Sequence, residues 1–253
     1  MLQQTPVDRV LPIWRQWWDR WPSPDLLAAE PAAAALRAWG RLGYPRRAVR
    51  LHAAAGEITR SHGGRVPNNP ESLRALPGIG EYTAGAILAF AFDQPALALD
   101  TNVRRVLARH DLGQAGPAPS ITAAERSHAY DVLPRRHGAA WMAAVMELGA
   151  LVCTARNPLC AECPVSSSCR WRALGYPAGT PARRQPRYEG SDRQARGALL
   201  TVLRQSDGPV TAQRLDLAWP EPAQRARALD GLVADGLVVP ASRGRWALPD
   251  ESG

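Results

Sequence analysis

The sequence predicts a mainly α-helical protein that ends in a small winged-helix-like unit. Two observations predict this fold class. Apolar residues recur at helical spacing through most of the first 175 residues, where the alternation typical of strands is almost absent. After residue 192 the pattern changes to three helices followed by a hairpin. The clearest helical stretches of the first part are Pro31–Trp39, Pro45–His62, Tyr82–Phe92, Asn102–His110 and Ala139–Val152.

Four tryptophans near the amino end follow the spacing of one helix face. They lie at i, i+3, i+4 and i+7, and the helix is predicted to end at Pro22 and Pro24. The four residues are Trp14, Trp17, Trp18 and Trp21. An aromatic stripe of this kind is most often packed in a core, so we predict that all four are buried. A platform on which nucleobases stack is the functional alternative.

The last part of the chain is predicted to be a separate small unit behind a proline- and arginine-rich linker. Its predicted helices lie around Arg196–Arg204, Thr211–Ala218 and Ala223–Asp235, and its predicted strands are Leu237–Val239 and Arg245–Leu248. This order is typical of winged-helix domains. DNA contact and a structural or partner-docking role are equally open for it.

The charge balance indicates a nucleic-acid partner. The formal net charge is +8 at pH 7, and all 31 basic residues are arginines because the chain contains no lysine. The fork-shaped donors of arginine suit phosphate, although GC-rich coding also favours this residue. The missing lysine excludes any mechanism that needs a lysine Schiff base, which leaves the terminal amine as the possible amine nucleophile.

The four cysteines indicate one metal site. Cys153, Cys160, Cys163 and Cys169 follow the spacing C-x6-C-x2-C-x5-C, and there are no others. A ligand set made only of cysteine suits an iron–sulfur cluster, with zinc as the alternative. Disulfides are disfavoured because the sequence shows no secretory leader and no membrane-length apolar run. We therefore expect a reducing cytoplasmic location beside the nucleoid and no membrane partner.

Two further segments carry candidate chemistry. A glycine-rich turn, Leu76-Pro77-Gly78-Ile79-Gly80, precedes a predicted helix, and its backbone N–H groups are able to hold a phosphate oxygen. Asp100 and Asn102 stand where the next helix begins. An N-cap is the structural alternative for both residues, since aspartate and asparagine are among the best caps.

Together these pieces resemble the helix-hairpin-helix family of DNA base-excision glycosylases and, within it, the adenine-specific glycosylases of the MutY type. The resemblance covers about residues 1–175. Its motifs are Met1-Leu2-Gln3-Gln4-Thr5, Leu42-Gly43-Tyr44, the run LPGIGEYTAGAI from Leu76, Asp100-Thr101-Asn102-Val103, Met146-Glu147-Leu148-Gly149-Ala150 and the cysteine pattern. It implies a two-lobed fold: a helical barrel lobe (1–94), an iron–sulfur lobe (95–175), a linker (176–192) and the winged-helix-like unit (193–253).

The resemblance also assigns roles by position. The Gly78-Ile79-Gly80 hairpin is expected to clasp backbone phosphate. Asp100 is expected to stabilise the positive sugar left when the base departs, with Asn102 supporting the pocket. Tyr82 stands where bifunctional relatives carry a lysine nucleophile, which implies a glycosylase without lyase activity.

The remaining implied roles concern the duplex and the cluster. Gln3, Gln4 and Tyr44 are expected to contact DNA, and the last two match positions that insert into the duplex to help extrude the target nucleotide. The four cysteines are expected to hold a [4Fe–4S] cluster. The implied partner is double-stranded DNA with an adenine mispaired with 8-oxoguanine or guanine, bound by a monomer.

Two departures from the family pattern affect these expectations. The family's general-acid glutamate lies two residues before the methionine of the MLQQT motif, which is Met1 here, so we expect an amino-terminally truncated chain with impaired catalysis. The residues from Arg193 onward are too short and too helical to match the family's 8-oxoguanine-recognition domain well. A glycosylase for T:G or other mismatches and a non-catalytic iron–sulfur DNA-binding protein therefore remain alternatives.

Overall fold

The computed structural model describes residues 1–179 and 187–251. Its backbone divides into two compact units. Unit 1 contains Met1–Pro67, Leu76–Gly78 and the described part of Arg184–Gly253; unit 2 contains Asn68–Ala75 and the described part of Ile79–Arg183. Residues 180–186 of the predicted linker lie outside the described residues.

The bounds of the elements follow the sequence predictions closely. In unit 1 they are α1 (Val7–Arg20), α2 (Pro24–Ala28), α3 (Ala32–Trp39) and α4 (Arg46–Ser61). In unit 2 they are α5 (Pro70–Ala75), α6 (Glu81–Phe92), α7 (Thr101–His110), α8 (Ala123–Val132), α9 (Gly138–Leu151) and α10 (Arg170–Ala173). The five helical stretches predicted above are confirmed to within one residue at each end, because strong apolar periodicity locates a helix well.

The carboxyl-terminal part of unit 1 has the predicted winged-helix order. Its elements are α11 (Asp192–Arg204), β1 (Val210–Thr211), α12 (Ala212–Ala218), α13 (Pro222–Ala234), β2 (Val239–Ala241), a 3-10 turn (Ser242–Gly244) and β3 (Arg245–Ala247). The hairpin partners β2 and β3 are antiparallel, and β1 pairs with the other edge of β3. The helix α11 begins four residues before the predicted start at Arg196, and β2 lies two residues later along the chain than the predicted strand Leu237–Val239. The short strand β1 was not predicted, since two residues are too few to show a period.

The tryptophan prediction was half wrong. Trp17 and Trp21 are buried, whereas Trp14 is 47% exposed and Trp18 is 57% exposed. The buried face of α1 is centred on Val10, Trp17 and Trp21, and the other two tryptophans lie on the row beside it, where their rings stack with centroids 6.0 Å apart. The stripe is thus wider than the face that the core covers.

One hydrophobic core joins α1–α4 to the carboxyl-terminal elements of unit 1. Trp39 is almost fully buried in it and meets the Trp17 ring edge-on at 5.7 Å. Polar contacts tie the same parts together. Arg37 pairs with Glu251 through both guanidinium ends, and the backbone N–H of Ala32 donates to Asp250 Oδ2 at 2.9 Å. The winged-helix-like elements therefore complete the core that the first helices begin.

The core of unit 2 positions the candidate site. It is built from the segment before α7 and from apolar faces of α7, α8 and α9. α9 approaches the start of α7 so closely that a Cβ on Gly149 would lie 2.7 Å from the Cβ of Asn102. Only glycine fits this crossing. Among the described residues, the structure contains no helix long and apolar enough to span a membrane.

Candidate active site and iron–sulfur centre

Asp100 forms the N-cap of α7, as the capping alternative predicted. Its Oδ1 accepts hydrogen bonds from the backbone N–H groups of Asn102 at 2.9 Å and Val103 at 2.7 Å. Its Oδ2 accepts one from the side-chain amide of Asn102 at 3.0 Å. Three donors thus fix the orientation of this half-buried carboxylate at the positive end of a helix. Capping and a role in chemistry are compatible, because Oδ2 retains acceptor capacity.

Tyr82 lies on the first turn of α6 and packs against the same core. Burial raises the pKa of its phenol, and the negative charge of Asp100 raises it further. Both effects keep Tyr82 protonated and neutral at physiological pH. The structure thus brings Tyr82, Asp100 and Asn102 close together in unit 2.

Arg105, which the sequence prediction did not single out, links this site to the cysteine-bearing loop. Its guanidinium donates to the side-chain oxygen of Asn102 at 2.8 Å, to the carbonyl of Gly149 at 2.5 Å and to the carbonyl of Cys153 at 2.6 Å. Burial lowers its pKa. A continuous chain of hydrogen bonds therefore runs from the backbone of Cys153 through Arg105 and Asn102 to Asp100.

The four cysteines line one cradle together with Arg109 and Trp171. All four thiols are free and half-buried. Burial raises the pKa of the Cys160 thiol, and the three neighbouring sulfurs raise it further, whereas Arg109 lowers it. Four thiolates gathered in this cradle repel one another, so a bound cationic centre would stabilise them. The donor set therefore fits an iron–sulfur cluster.

Arg109 binds the backbone of the cysteine-bearing loop. It is buried, and it donates to the carbonyls of Ala115 at 2.8 Å and Thr154 at 2.7 Å. Its guanidinium lies 4.5 Å from the centre of the Trp171 ring and 3.5 Å from the sulfur of Cys153. Arg105 and Arg109 are four residues apart on one helix face.

The predicted phosphate-binding hairpin has the expected local geometry. Gly78 has a φ of +80°, a conformation that other residues rarely adopt. Gly80 is the N-cap of α6 in extended conformation and has no side chain to cover the first backbone N–H groups of that helix. Ile79 lies between them, half-buried.

The residues expected to insert into DNA lie in unit 1. Gln4 and Tyr44 are both exposed, and both have positive φ values, 56° and 57°. Gln3, which precedes Gln4, is half-buried. The structure brings the segment of Gln3 and Gln4 close to Tyr44 through shared contacts with Arg47. Sequence reasoning did not identify Arg47.

Family models match most of this architecture. Residues 1–130 match the HhH-GPD superfamily of base excision DNA repair proteins, and residues 153–169 match the iron-sulfur binding domain of endonuclease III. The second match begins and ends at the outer two cysteines of the cradle. It resolves the choice between zinc and an iron–sulfur cluster in favour of the cluster.

Similar solved structures, of a thymine-DNA glycosylase and of endonuclease III, have the same fold. A thermostable thymine-DNA glycosylase superposes with a TM-score of 0.62 at 25% identity, covering 68% of this chain and 80% of that one. A non-covalent endonuclease III–DNA complex gives a TM-score of 0.60 at 22% identity, covering 69% and 80%.

Curated relatives of similar sequence are adenine DNA glycosylases. The protein from Mycolicibacterium smegmatis is 52% identical over 252 residues, covering 99% of this chain and 85% of its own length. That from Mycobacterium tuberculosis is 52% identical, covering 99% and 83%, and the human protein is 41% identical, covering 68% and 32%. The chain therefore belongs to the adenine DNA glycosylase family, within the HhH-GPD superfamily of DNA-binding base excision repair enzymes, and carries an iron–sulfur cluster.

Proposed function

We propose that the chain excises adenine mispaired with 8-oxoguanine or guanine, acting as a monomer without strand cleavage in the nucleoid-bearing cytoplasm. The orientation of the Asp100 carboxylate is the observation that supports this proposal most directly. Its carboxylate is oriented by three N–H donors, it faces the neutral Tyr82 phenol, and no lysine is available anywhere in the chain.

The Asp100 carboxylate stabilises the positive charge that develops on the sugar as the base departs. As the bond between C1′ and N9 of adenine breaks, the bonding electrons leave with the base, which takes up a proton, and positive charge develops on the sugar. A fixed carboxylate is complementary to charge that exists mainly in that transition state. Asp100 also directs a water oxygen onto C1′. The hydroxyl remains on the sugar, and the proton that this water releases balances the proton taken up by the base, which completes hydrolysis.

Because residue 82 is a tyrosine, the reaction stops at hydrolysis and has no lyase step. A lyase step needs an amine that forms a Schiff base with C1′, and a protonated phenol cannot supply one. Tyr82 instead closes one side of the pocket beside Asp100.

The other predicted residues bind and deform the duplex. The N–H groups of the Gly78-Ile79-Gly80 hairpin hold a backbone phosphate, and Gln3, Gln4 and Tyr44 contact the base stack from which the adenine is extruded. Cys153, Cys160, Cys163 and Cys169 would hold a [4Fe–4S] cluster, which would order their loop. Through Arg105 that order extends to Asn102 and so to Asp100.

The test measures which base is released in a single turnover from A:8-oxoG, A:G and T:G duplexes. It is run with this chain and with a form extended upstream through the glutamate that the resemblance implies. We expect the extended form to release adenine from the A:8-oxoG and A:G duplexes without strand cleavage, and this chain to release it more slowly. Both forms should bind duplex with an affinity that falls steeply with salt. Thymine release from T:G would instead favour the activity named for the structural neighbour. Duplex binding without release of any base by either form would contradict the enzymatic proposal.

A further inference from the structure

The amino-terminal segment and the turn before α4 converge on one arginine. Arg47 Nη1 donates to the carbonyls of Met1, at 2.9 Å, and of Gln3. Nη2 donates to Thr5 Oγ1 at 2.8 Å and to the carbonyl of Gly43 at 3.1 Å. All four terminal N–H donors of the guanidinium are therefore used within the protein.

Arg47 also lies between a buried ring and an exposed one. Its guanidinium carbon is 5.6 Å from the ring centre of Trp39 and 5.0 Å from that of Tyr44. Trp39 is fixed in the core and its indole N–H donates to the carbonyl of Gly43 at 3.2 Å, whereas Tyr44 is 57% exposed. Arg47 thus connects the exposed tyrosine to the rigid interior.

The two exposed residues beside Arg47, Gln4 and Tyr44, have backbone conformations that need support from neighbouring contacts. Gln4 and Tyr44 both adopt the left-handed backbone conformation, which costs a residue other than glycine roughly 1 kcal/mol or more. Such conformations persist where surrounding contacts hold them. The contacts of Arg47 with the carbonyls of Gln3 and Gly43 fix the residue before each of them.

We propose that Arg47 is a positioning residue that holds Gln4 and Tyr44 together as one preformed wedge for entry into the duplex, an inference that rests on the proposed function. Because its four terminal donors are used by protein oxygens and its Nε is buried, Arg47 is not a phosphate ligand. Lysine cannot replace it, since a single ammonium lacks the planar fork that reaches four acceptors on two segments.

The experiment compares Arg47→Lys with Arg46→Lys, two variants that keep the charge of the same helix turn. Arg46 is exposed and pairs with Asp235 at 3.1 Å, a pair that lysine can also form, so it is the matched control. Base extrusion is measured by the fluorescence of 2-aminopurine placed opposite 8-oxoguanine, which does not require cleavage. Hydrogen exchange of residues 1–6, duplex affinity at several salt concentrations and adenine release are measured on the same proteins.

We expect Arg47→Lys to slow extrusion on the order of 10- to 100-fold and to increase exchange in residues 1–6, while Arg46→Lys stays within about twofold of the parent. The salt dependence of affinity should be unchanged in both. Extrusion by Arg47→Lys at the parental rate would overturn the inference. So would a uniform loss of affinity with a shallower salt dependence, which would make Arg47 a phosphate ligand.

A second variant guards against a purely structural effect. Thr5→Val removes one acceptor of Arg47 without changing the contacts of Trp39, and it should slow extrusion in the same direction at unchanged thermal stability. The positioning role of Arg47 would be overturned if two results came together. Thr5→Val would extrude the base at the parental rate, and Arg47→Lys would be slow only in proportion to its loss of folded protein. A parent that extrudes the base, when neither it nor the upstream-extended form releases adenine, would contradict the proposed function and leave the comparison of Arg47 with Arg46 decisive.

Discussion

The crossing of α9 over the start of α7 allows a sharp test of how the site is positioned. The change is Gly149→Ala, which adds one methyl group. In the parent geometry that Cβ would lie 2.7 Å from the Cβ of Asn102 and 2.8 Å from its carbonyl oxygen. These atoms belong to the backbone turn that Asp100 caps, so they cannot move aside as the end of a flexible side chain would.

The size of the effect follows from these distances. Ordinary contact begins near 3.4 Å, so the helices must separate by about 0.7 Å, the difference between 3.4 and 2.7 Å. Overpacking of this kind costs about 1–3 kcal/mol, while alanine in a helix gains about 0.5–1 kcal/mol over glycine. The net loss of stability is therefore small, up to about 2.5 kcal/mol. Displacement of a catalytic group by nearly 1 Å can cost about 100-fold in rate.

We therefore expect Gly149→Ala to release adenine about 100-fold more slowly while it stays folded, since a loss of up to about 2.5 kcal/mol is below the stability of a typical domain. The assays are urea unfolding and single-turnover adenine release. The control is Gly56→Ala on α4, where the new Cβ meets only the flexible end of Arg60 at 3.2 Å, and where we expect about 0.5–1 kcal/mol of added stability and parental activity. If Gly149→Ala is as active as Gly56→Ala, the close crossing does not position Asp100.

Four other predictions concern the same unit. Asp100→Asn should keep its cap, with stability within about 0.5 kcal/mol of the parent, and keep duplex binding while adenine release falls at least about 100-fold; retained release would reduce Asp100 to a cap. Tyr82→Lys should form an adduct with DNA that borohydride traps, and no adduct would place position 82 out of reach of C1′. The raised pKa of Tyr82 stabilises the fold below pH 10, its ordinary value, and this contribution is lost as pH rises through the folded-state pKa, so the parent should lose thermal stability above pH 10 more steeply than Tyr82→Phe. Cys160→Ser should lower iron content and expose residues 153–169 to protease, whereas protection and iron retained at the parental level would exclude Cys160 as a ligand.

Local patterns predicted the parts of the site that depend on short stretches of chain. The cysteine spacing, the cap at Asp100 and the turn at Gly78 each follow from residues that are close in sequence, and such features can be derived one segment at a time. The five main helices were predicted for the same reason, since their apolar period is complete within each helix.

Long-range polar partners could not be predicted in this way. Arg105 contacts the carbonyl of Cys153, 48 residues later, and Arg47 contacts the carbonyl of Met1, 46 residues earlier. In a sequence with 31 arginines and no lysine, nothing local distinguishes a buried arginine that orders backbone from an exposed one that contacts phosphate. The same limit explains Trp14 and Trp18, because periodicity predicts a face but not how much of it another element covers.

The carboxyl-terminal elements illustrate the distinction between fold pattern and role. Their order is that of a winged helix, which left DNA contact and a structural or partner-docking role equally open. In the structure Arg225, on α13, pairs with Asp216 at 2.8 Å and donates to the carbonyl of Trp219, so its donors serve the unit itself. Arg204 donates to the carbonyl of Gly40, and the shared core with α1–α4 is continuous. These contacts favour a structural role for the carboxyl-terminal elements. They complete the core of the first helices, which contains Trp39, the residue whose ring Arg47 contacts.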